Sequence, residues 1–203
     1  MTRRRRPVLL IISAPSGTGK TTLAKRLLAE FKRMRRCITC TTRPRRPGEI
    51  NGRDYIFLDE AEFQRRAAQG YFLEHAKVHG HCYGTPRLRV EQALSDGCDL
   101  LLAIDVQGAA QIRKLISRAP GSILAEAFVD VFVAPPSMAA LKARLEKRGQ
   151  DDRATMHLRL RNAAREMACA RCYRYLVVNE RLAAALASLR AIILAEHCRR
   201  EGG

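Results

Sequence analysis

Lys20 and Thr21, preceded by Gly17 and Gly19, are the residues of this chain best suited to chemistry by type and spacing. In the run Ser13-Ala14-Pro15-Ser16-Gly17-Thr18-Gly19-Lys20-Thr21-Thr22 the glycines let the backbone fold inward. The N–H groups of residues 16 to 21 can then surround a phosphate. The Lys20 amine would reach the terminal phosphates of a polyphosphate, and the Thr21 hydroxyl would ligate Mg²⁺. The strict pattern has glycine where this chain has Ala14, and alanine serves there if φ stays negative. An ordinary glycine turn is the alternative, and the flanks weigh against it. Val8-Leu9-Leu10-Ile11-Ile12 precedes the loop as a strand-like run, while Leu23, Leu27, Leu28 and Phe31 follow on one helical face. The positive end of that helix dipole adds to the amides.

Two further groups of cations match such a loop. Arg43 and Arg46 stand three apart in Arg43-Pro44-Arg45-Arg46-Pro47-Gly48, where two prolines and a glycine forbid regular structure. With the hydroxyls of Tyr55, Tyr83 and Thr85 they suggest a second anion site. Arg144, Arg148 and Arg159 form a third cluster on a helical pair. Any single arginine of these could equally be a solvated surface residue.

The elements that must position these groups read as an α/β chain. Cys37 to Thr42 is a β-branched run read as a strand, followed by Tyr55 to Leu58 as another. Asp59-Glu60-Ala61-Glu62 resembles a capping box opening a helix that ends at Gly70. Phe72-Leu73-Glu74 and Tyr83-Gly84-Thr85 lie on short segments around Gly80, and a helix runs from Pro86 to about Asp96. The stretch 37–86 therefore reads as a small β-rich insertion. Leu100 to Asp105, Val129 to Val133 and Leu176 to Asn179 return to nearly continuous apolar runs, the pattern of strands covered on both faces of a parallel sheet. Asp105 ends its strand where open α/β sheets bind ligands. Ser137 caps a helix containing Leu141 and Leu145, a second helix spans about 153–172, and a last one about 181–198.

At 203 residues the chain fits one domain with a substantial core. No apolar run approaches the ~20 residues of a membrane span, and the basic start feeds directly into the glycine loop, so no secretory signal is read there. A cytoplasmic protein is the expectation. The net charge of +17, with 30 of the 37 basic residues arginine, asks for an anionic partner, nucleic acid or phosphorylated small molecules. The aromatic residues interleaved with it match no RNA-binding signature, so no specific nucleic acid is expected. Seven cysteines form no obvious disulfide framework. Cys37/Cys40 and Cys169/Cys172 are C-x-x-C pairs, nominally four zinc ligands or else small buried hydrophobes.

The glycine loop, Thr41 to Glu49, Gly52-Arg53-Asp54-Tyr55, Phe72 to Ala76, Tyr83-Gly84-Thr85, Ile104 to Ala109 and Ala134 to Ser137, then Arg144-Leu145 and Arg148-Gly149, follow one another along the chain. Taken in that order they resemble the guanylate kinase family. The resemblance covers about residues 8–195. It implies a P-loop NTPase fold, a parallel sheet flanked by helices with a small β-rich GMP-binding insertion and a helical lid. The domain would span 7–198, with core 7–36, 87–136 and 168–198, GMP-binding part 37–86 and lid 137–167. It implies transfer of the γ-phosphoryl group of MgATP to GMP, as in purine nucleotide metabolism, with Mg²⁺ as cofactor. Ala14, Pro15, Ser16, Gly17, Thr18, Gly19, Lys20, Thr21 and Thr22 would bind ATP with Arg144, Arg148 and Asn179, the last near the adenine. Arg43, Arg46, Tyr55 and Tyr83 would hold the GMP phosphate; Glu74 would accept from guanine N1–H and its amine, and Thr39 would donate to O6. Thr85 would lie at the nucleotide, and Asp105 near GMP and the water shell of the metal. Lys20, Arg46, Arg148 and Arg159 would act on the transferring group.

Ala103 stands where many relatives carry an acid, so that position makes no metal-water contact here. Three readings stay open: a silent interaction module of the same fold, a nucleic-acid binder, and a related kinase acting on a ribose phosphate. The oligomeric state is not fixed by these residues.

Overall fold

The computed structural model describes residues 5–78, 80–148 and 153–199, without the side chains of Arg148, Arg153 and Ala154. The apolar run before the glycine loop forms β1 (Leu9–Ser13), buried at every residue. Among the described residues five strands make one all-parallel sheet in the order β2 (Met34–Arg36), β7 (Asp99–Ala103), β1, β8 (Phe128–Ala134) and β9 (Tyr175–Val178). Leu9 pairs with Leu100 on one side and Phe128 on the other, which makes β1 the central strand.

Because side chains alternate along a strand, β1 feeds two cores. Leu10 and Ile12 pack with Leu23 and Leu27 of α1 (Lys20–Glu30) and with Leu189 and Ile193 of α8 (Leu182–Cys198). Leu9 and Ile11 face the opposite way, toward Val90 and Leu94 of α3 (Arg87–Ser95), Ile112 of α4 (Val106–Ser117) and Leu124 of α5 (Ile123–Ala127). Each such buried aliphatic side chain contributes roughly 1.5–3 kcal/mol relative to exposure. The glycine loop is thus bolted to the most buried part of the molecule.

A second sheet is built from β4 (Ile56–Phe57), β3 (Cys40–Thr41), β6 (His81–Pro86) and β5 (Phe72–Val78), in that order. Its own small core is Cys40, Phe63, Phe72 and Cys82, with the rings of Phe63 and Phe72 stacked at 4.6 Å. Phe63 belongs to α2 (Glu60–Ala68), whose cap Asp59 accepts from the Glu62 N–H at 2.7 Å. The segment after β8 forms two helices, α6 (Met138–Arg148) and α7 (Arg153–Ala168), which share Leu141, Leu145 and Ala163. Ser137 caps α6 by accepting from Ala140 N–H at 3.1 Å.

Two expected elements come out differently. Cys37 to Thr42 is not one strand: Met34–Arg36 pairs in the large sheet, Cys40–Thr41 in the small one, and the residues between cross over. Cys37 lies in the core of the first sheet and Cys40 in that of the second, so each half answers to a different partner. The helix expected over 153–172 stops at Ala168, and Cys169–Cys172 tightens into a 3₁₀ turn. That turn lets Tyr173 drop into the core against Phe132. Of the basic start, Arg5 has a buried partner. Asp99, fully buried, accepts from Val8 N–H at 3.0 Å and pairs with Arg5 and His197, tying the first strand to the last helix.

Candidate active site

Gly17 and Gly19 both take positive φ, +90° and +98°, so the loop between β1 and α1 needs glycine at each. Space demands it too. A Cβ on Gly17 would come within 2.8 Å of Leu145, and one on Gly19 within 2.8 Å of the Asn179 amide nitrogen. The loop is therefore roofed by α6 and backed by the end of β9. Asn179 Nδ2 donates to Thr18 O at 2.7 Å while its own N–H donates to Ala134 O at 2.8 Å, so it braces the loop. Arg144 donates to the carbonyls of Asn179 and Glu180, beside that brace. Ala14, Pro15 and Thr18 are buried; Ser16, Thr21 and Thr22 are exposed.

Lys20 Nζ donates to Ile104 O at 3.1 Å, at the end of β7. Burial lowers its pKa, opposed by the nearby charges of Glu166 on α7 and Asp105. Asp105 caps α4 by accepting from Gly108 N–H at 2.8 Å. Ala103 is exposed and lines the same cleft as an apolar group.

A cleft of about 620 Å³ opens in front of Lys20 and Thr21. Its walls bring together Thr39, Arg46, Tyr55, Glu74 and Tyr83 from the small-sheet part and the arginine loop with Asp105 from the end of β7. Glu74 is 4% exposed and accepts from Thr85 Oγ1 at 2.5 Å. Burial pushes its pKa up to about 7, with the Thr85 hydrogen bond pulling down and the charge of Asp105 pushing up. Thr85 lies fully buried beneath it rather than in the cleft wall.

Arg43 is held just behind the wall. Its guanidinium donates to Glu49 at 2.6 Å and to Pro44 O at 2.7 Å, and stands 5.4 Å from the Tyr55 ring. The other Glu49 oxygen accepts from Arg46 N–H at 2.9 Å. These bonds hold the Glu49 carboxyl below the usual range, Arg43 contributing most. The Arg148 side chain lies outside the described residues, and Arg159 is half-buried on α7 and does not line the cleft.

Four residues with evident positions here had no role in the sequence reading. Glu49 bridges the two loop arginines, and its only signal was its place in the Thr41 to Glu49 segment. Gly108 sits in the first turn of α4, where a helical glycine hints at close approach. Arg36 lines the cleft over the Tyr55 ring at 5.2 Å. Glu166 faces Lys20 electrostatically from another element, and no spacing could have revealed it.

A parallel sheet whose central strand runs through a two-glycine loop into a helix, with an arginine loop and a buried glutamate across the cleft, defines a P-loop fold built for a nucleotide and a second anionic ligand. The family model for guanylate kinase matches residues 4–196, and the chain belongs to the guanylate kinase family. It is 46% identical to the guanylate kinase of Chelativorans sp. (strain BNC1) over 200 residues, covering 98% of this chain and 88% of that one. Against the guanylate kinase of Rhodopseudomonas palustris (strain HaA2) the identity is 44% over 197 residues, with 97% and 86% covered. The crystal structure of guanylate kinase from Anaplasma phagocytophilum superimposes with a TM-score of 0.74 at 32% identity, over 97% of this chain and 89% of that one.

Proposed function

We infer that the two sides of the cleft take ATP and GMP, and that the chain is a guanylate kinase transferring the γ-phosphoryl group from ATP to GMP, giving ADP and GDP. The observation that carries this is a buried glutamate, Glu74, in the same cleft as the loop lysine Lys20. Guanine offers two adjacent donors, N1–H and the exocyclic amine, and one carboxylate accepts both. Adenine lacks that pair, and an unmet buried acceptor costs about 1–3 kcal/mol.

In this reading the amides of Ser16 to Thr21 cradle the ATP phosphates, and Lys20 meets the charge that develops on the transferring group. Arg43, Arg46, Tyr55 and Tyr83 hold the GMP phosphate, with Thr39 at guanine O6. The GMP phosphate is already an anionic nucleophile, so no general base and no covalent intermediate are required. Arg144, Arg148 and Arg159 ride on the helical part 137–167, which closes over the core 7–36, 87–136 and 168–198 as the part 37–86 closes on GMP. Closure excludes water, which would otherwise take the phosphoryl group. Asn179 keeps the loop in shape at the adenine side.

Among the described residues no group of three or more His, Cys, Asp or Glu side chains converges as a metal cage. The donors at the cleft are hard oxygens, the Thr21 hydroxyl and the Asp105 carboxylate, and these suit Mg²⁺, which keeps waters and substrate phosphates as its other ligands. Thr21 would hold it directly and Asp105 through water, and the ion would neutralise charge on the phosphates. Among the described residues no helix is long and apolar enough to cross a membrane. A cytoplasmic place of action follows from the nucleotide substrates.

An acceptor panel tests the assignment. With ATP as donor, ADP release should depend on GMP and be weak with AMP, UMP and ribose bisphosphate. ADP release independent of any acceptor, or RNA retention without GMP turnover, would favour the other readings.

A further inference from the structure

Arg36 is the last residue of β2, where the chain leaves the large sheet for the small one. It stands in register with Leu101 of β7, and the N–H of the next residue, Cys37, donates to Leu101 O at 3.2 Å. Strand alternation puts Arg36 on the same sheet face as Met34, which packs with Leu23 and Leu27 of α1. On that face Thr21, Lys25 and Leu28 of α1 line the cleft with it.

Tyr55 belongs to the small-sheet part. Its carbonyl accepts from Gly52 N–H at 2.8 Å, and the residue after it opens β4. The exposed Arg36 guanidinium stands 5.2 Å from the centre of the half-buried Tyr55 ring, so one contact joins the two sheets across the crossover at 37–39. A guanidinium over an aromatic face is attracted by the ring quadrupole. Arg43 also faces this ring, at 5.4 Å, but Glu49 holds it at 2.6 Å. Asp54, beside Tyr55, pairs with Arg53 at 3.1 Å, and among the described residues no carboxylate pairs with Arg36. The ring is the partner the structure gives it.

We propose that Arg36 is a positioning residue for the acceptor, holding the Tyr55 ring from the large sheet so that the Tyr55 hydroxyl meets the GMP phosphate. It touches no reacting atom and acts through Tyr55. This role rests on the reading of Tyr55 as a donor to that phosphate. Arg43 and Arg46 ride on the arginine loop, whereas Arg36 is registered to β7, the strand that leads to the Ile104 carbonyl holding Lys20. Arg36 thus sets the acceptor side against the lysine side of the cleft, which the arginine loop alone does not do.

Direct titration with GMP, without ATP, tests this on four forms of the whole chain: unaltered, Arg36→Met, Tyr55→Phe and the double variant. Methionine keeps an unbranched stem and removes the charge. Arg36→Met should weaken GMP binding by about two- to fivefold, the range of an exposed cation–π contact, and leave binding of a non-hydrolysable ATP analogue unchanged. Tyr55→Phe keeps the ring and removes the hydroxyl that Arg36 serves to aim, so the double variant should bind GMP no more weakly than Tyr55→Phe alone. GMP affinity unchanged in Arg36→Met, a loss that multiplies in the double variant, or an equal loss for the ATP analogue overturns the proposal. Failure of the kinase reading itself would show separately, as no GMP binding to the unaltered chain.

Discussion

A Cβ placed on Gly108 would stand 2.5 Å from the Glu74 Oε2 atom. Thr85 holds the other oxygen of that carboxylate, so Glu74 is fixed between a hydroxyl donor and a space that glycine alone leaves open. Gly108 N–H meanwhile caps onto Asp105. One glycine thus sets the positions of two acidic groups on the cleft wall.

Gly108→Ala should therefore push Glu74 out of place without breaking the helix, since alanine is the better helix former. Misplacing a buried hydrogen-bonding group by this much should raise the KM for GMP by roughly 10- to 100-fold, with the KM for ATP unchanged. Steady-state kinetics with each nucleotide varied in turn checks it. Thermal denaturation would show that the fold is retained.

The pH profile should carry the signature of Glu74. Its pKa in the free protein is raised to about 7, and guanine needs the ionised form as acceptor. Protonation below that value removes the acceptor, so kcat/KM for GMP should rise with pH and level off above about 7, losing about tenfold by one unit below it. The GMP phosphate also titrates at about 6. Glu74→Gln separates the two, because only the limb belonging to the carboxyl should disappear.

Glu49 should matter although it touches no substrate in this reading. It spans Arg43 and the Arg46 backbone, pre-setting the loop that meets the GMP phosphate. Glu49→Gln weakens both bonds and should raise the KM for GMP several-fold, with kcat at saturation largely kept. Equal loss in the KM for ATP would contradict this placement.

Asn179→Ala removes the donor to the Thr18 carbonyl and loosens the loop at Gly19. A buried carbonyl left unpaired costs about 1–3 kcal/mol. The KM for ATP should rise by roughly tenfold, visible in direct titration with a non-hydrolysable ATP analogue, while GMP binding alone stays as it was.

The glycine loop was readable in the sequence because its chemistry is local: amides, two positive-φ glycines and one lysine within a few residues. The all-parallel sheet was readable too, from unbroken apolar runs such as Leu9 to Ile12. What escaped were relations between distant positions. Cys37 to Thr42 has the composition of a strand, and composition does not say that Cys37 lies in the core of one sheet while Cys40–Thr41 pairs in the other. Gly108 and Glu74 are 34 positions apart, and Glu166 acts on Lys20 electrostatically from α7, so neither relation leaves a spacing to find. The sequence pattern carries α7 four residues beyond Ala168, because the demand that tightens the turn, burial of Tyr173, comes from β8.

For direct transfer one molecule must hold both anions at once in a single cleft. Calorimetric titration with adenosine and guanosine joined through five phosphates tests that most directly. It should bind one per chain, exclude ATP and GMP together, and lose most of its affinity in both Lys20→Ala and Glu74→Ala. An analogue that displaces only one of the two nucleotides, or that binds equally well after Glu74→Ala, would contradict it.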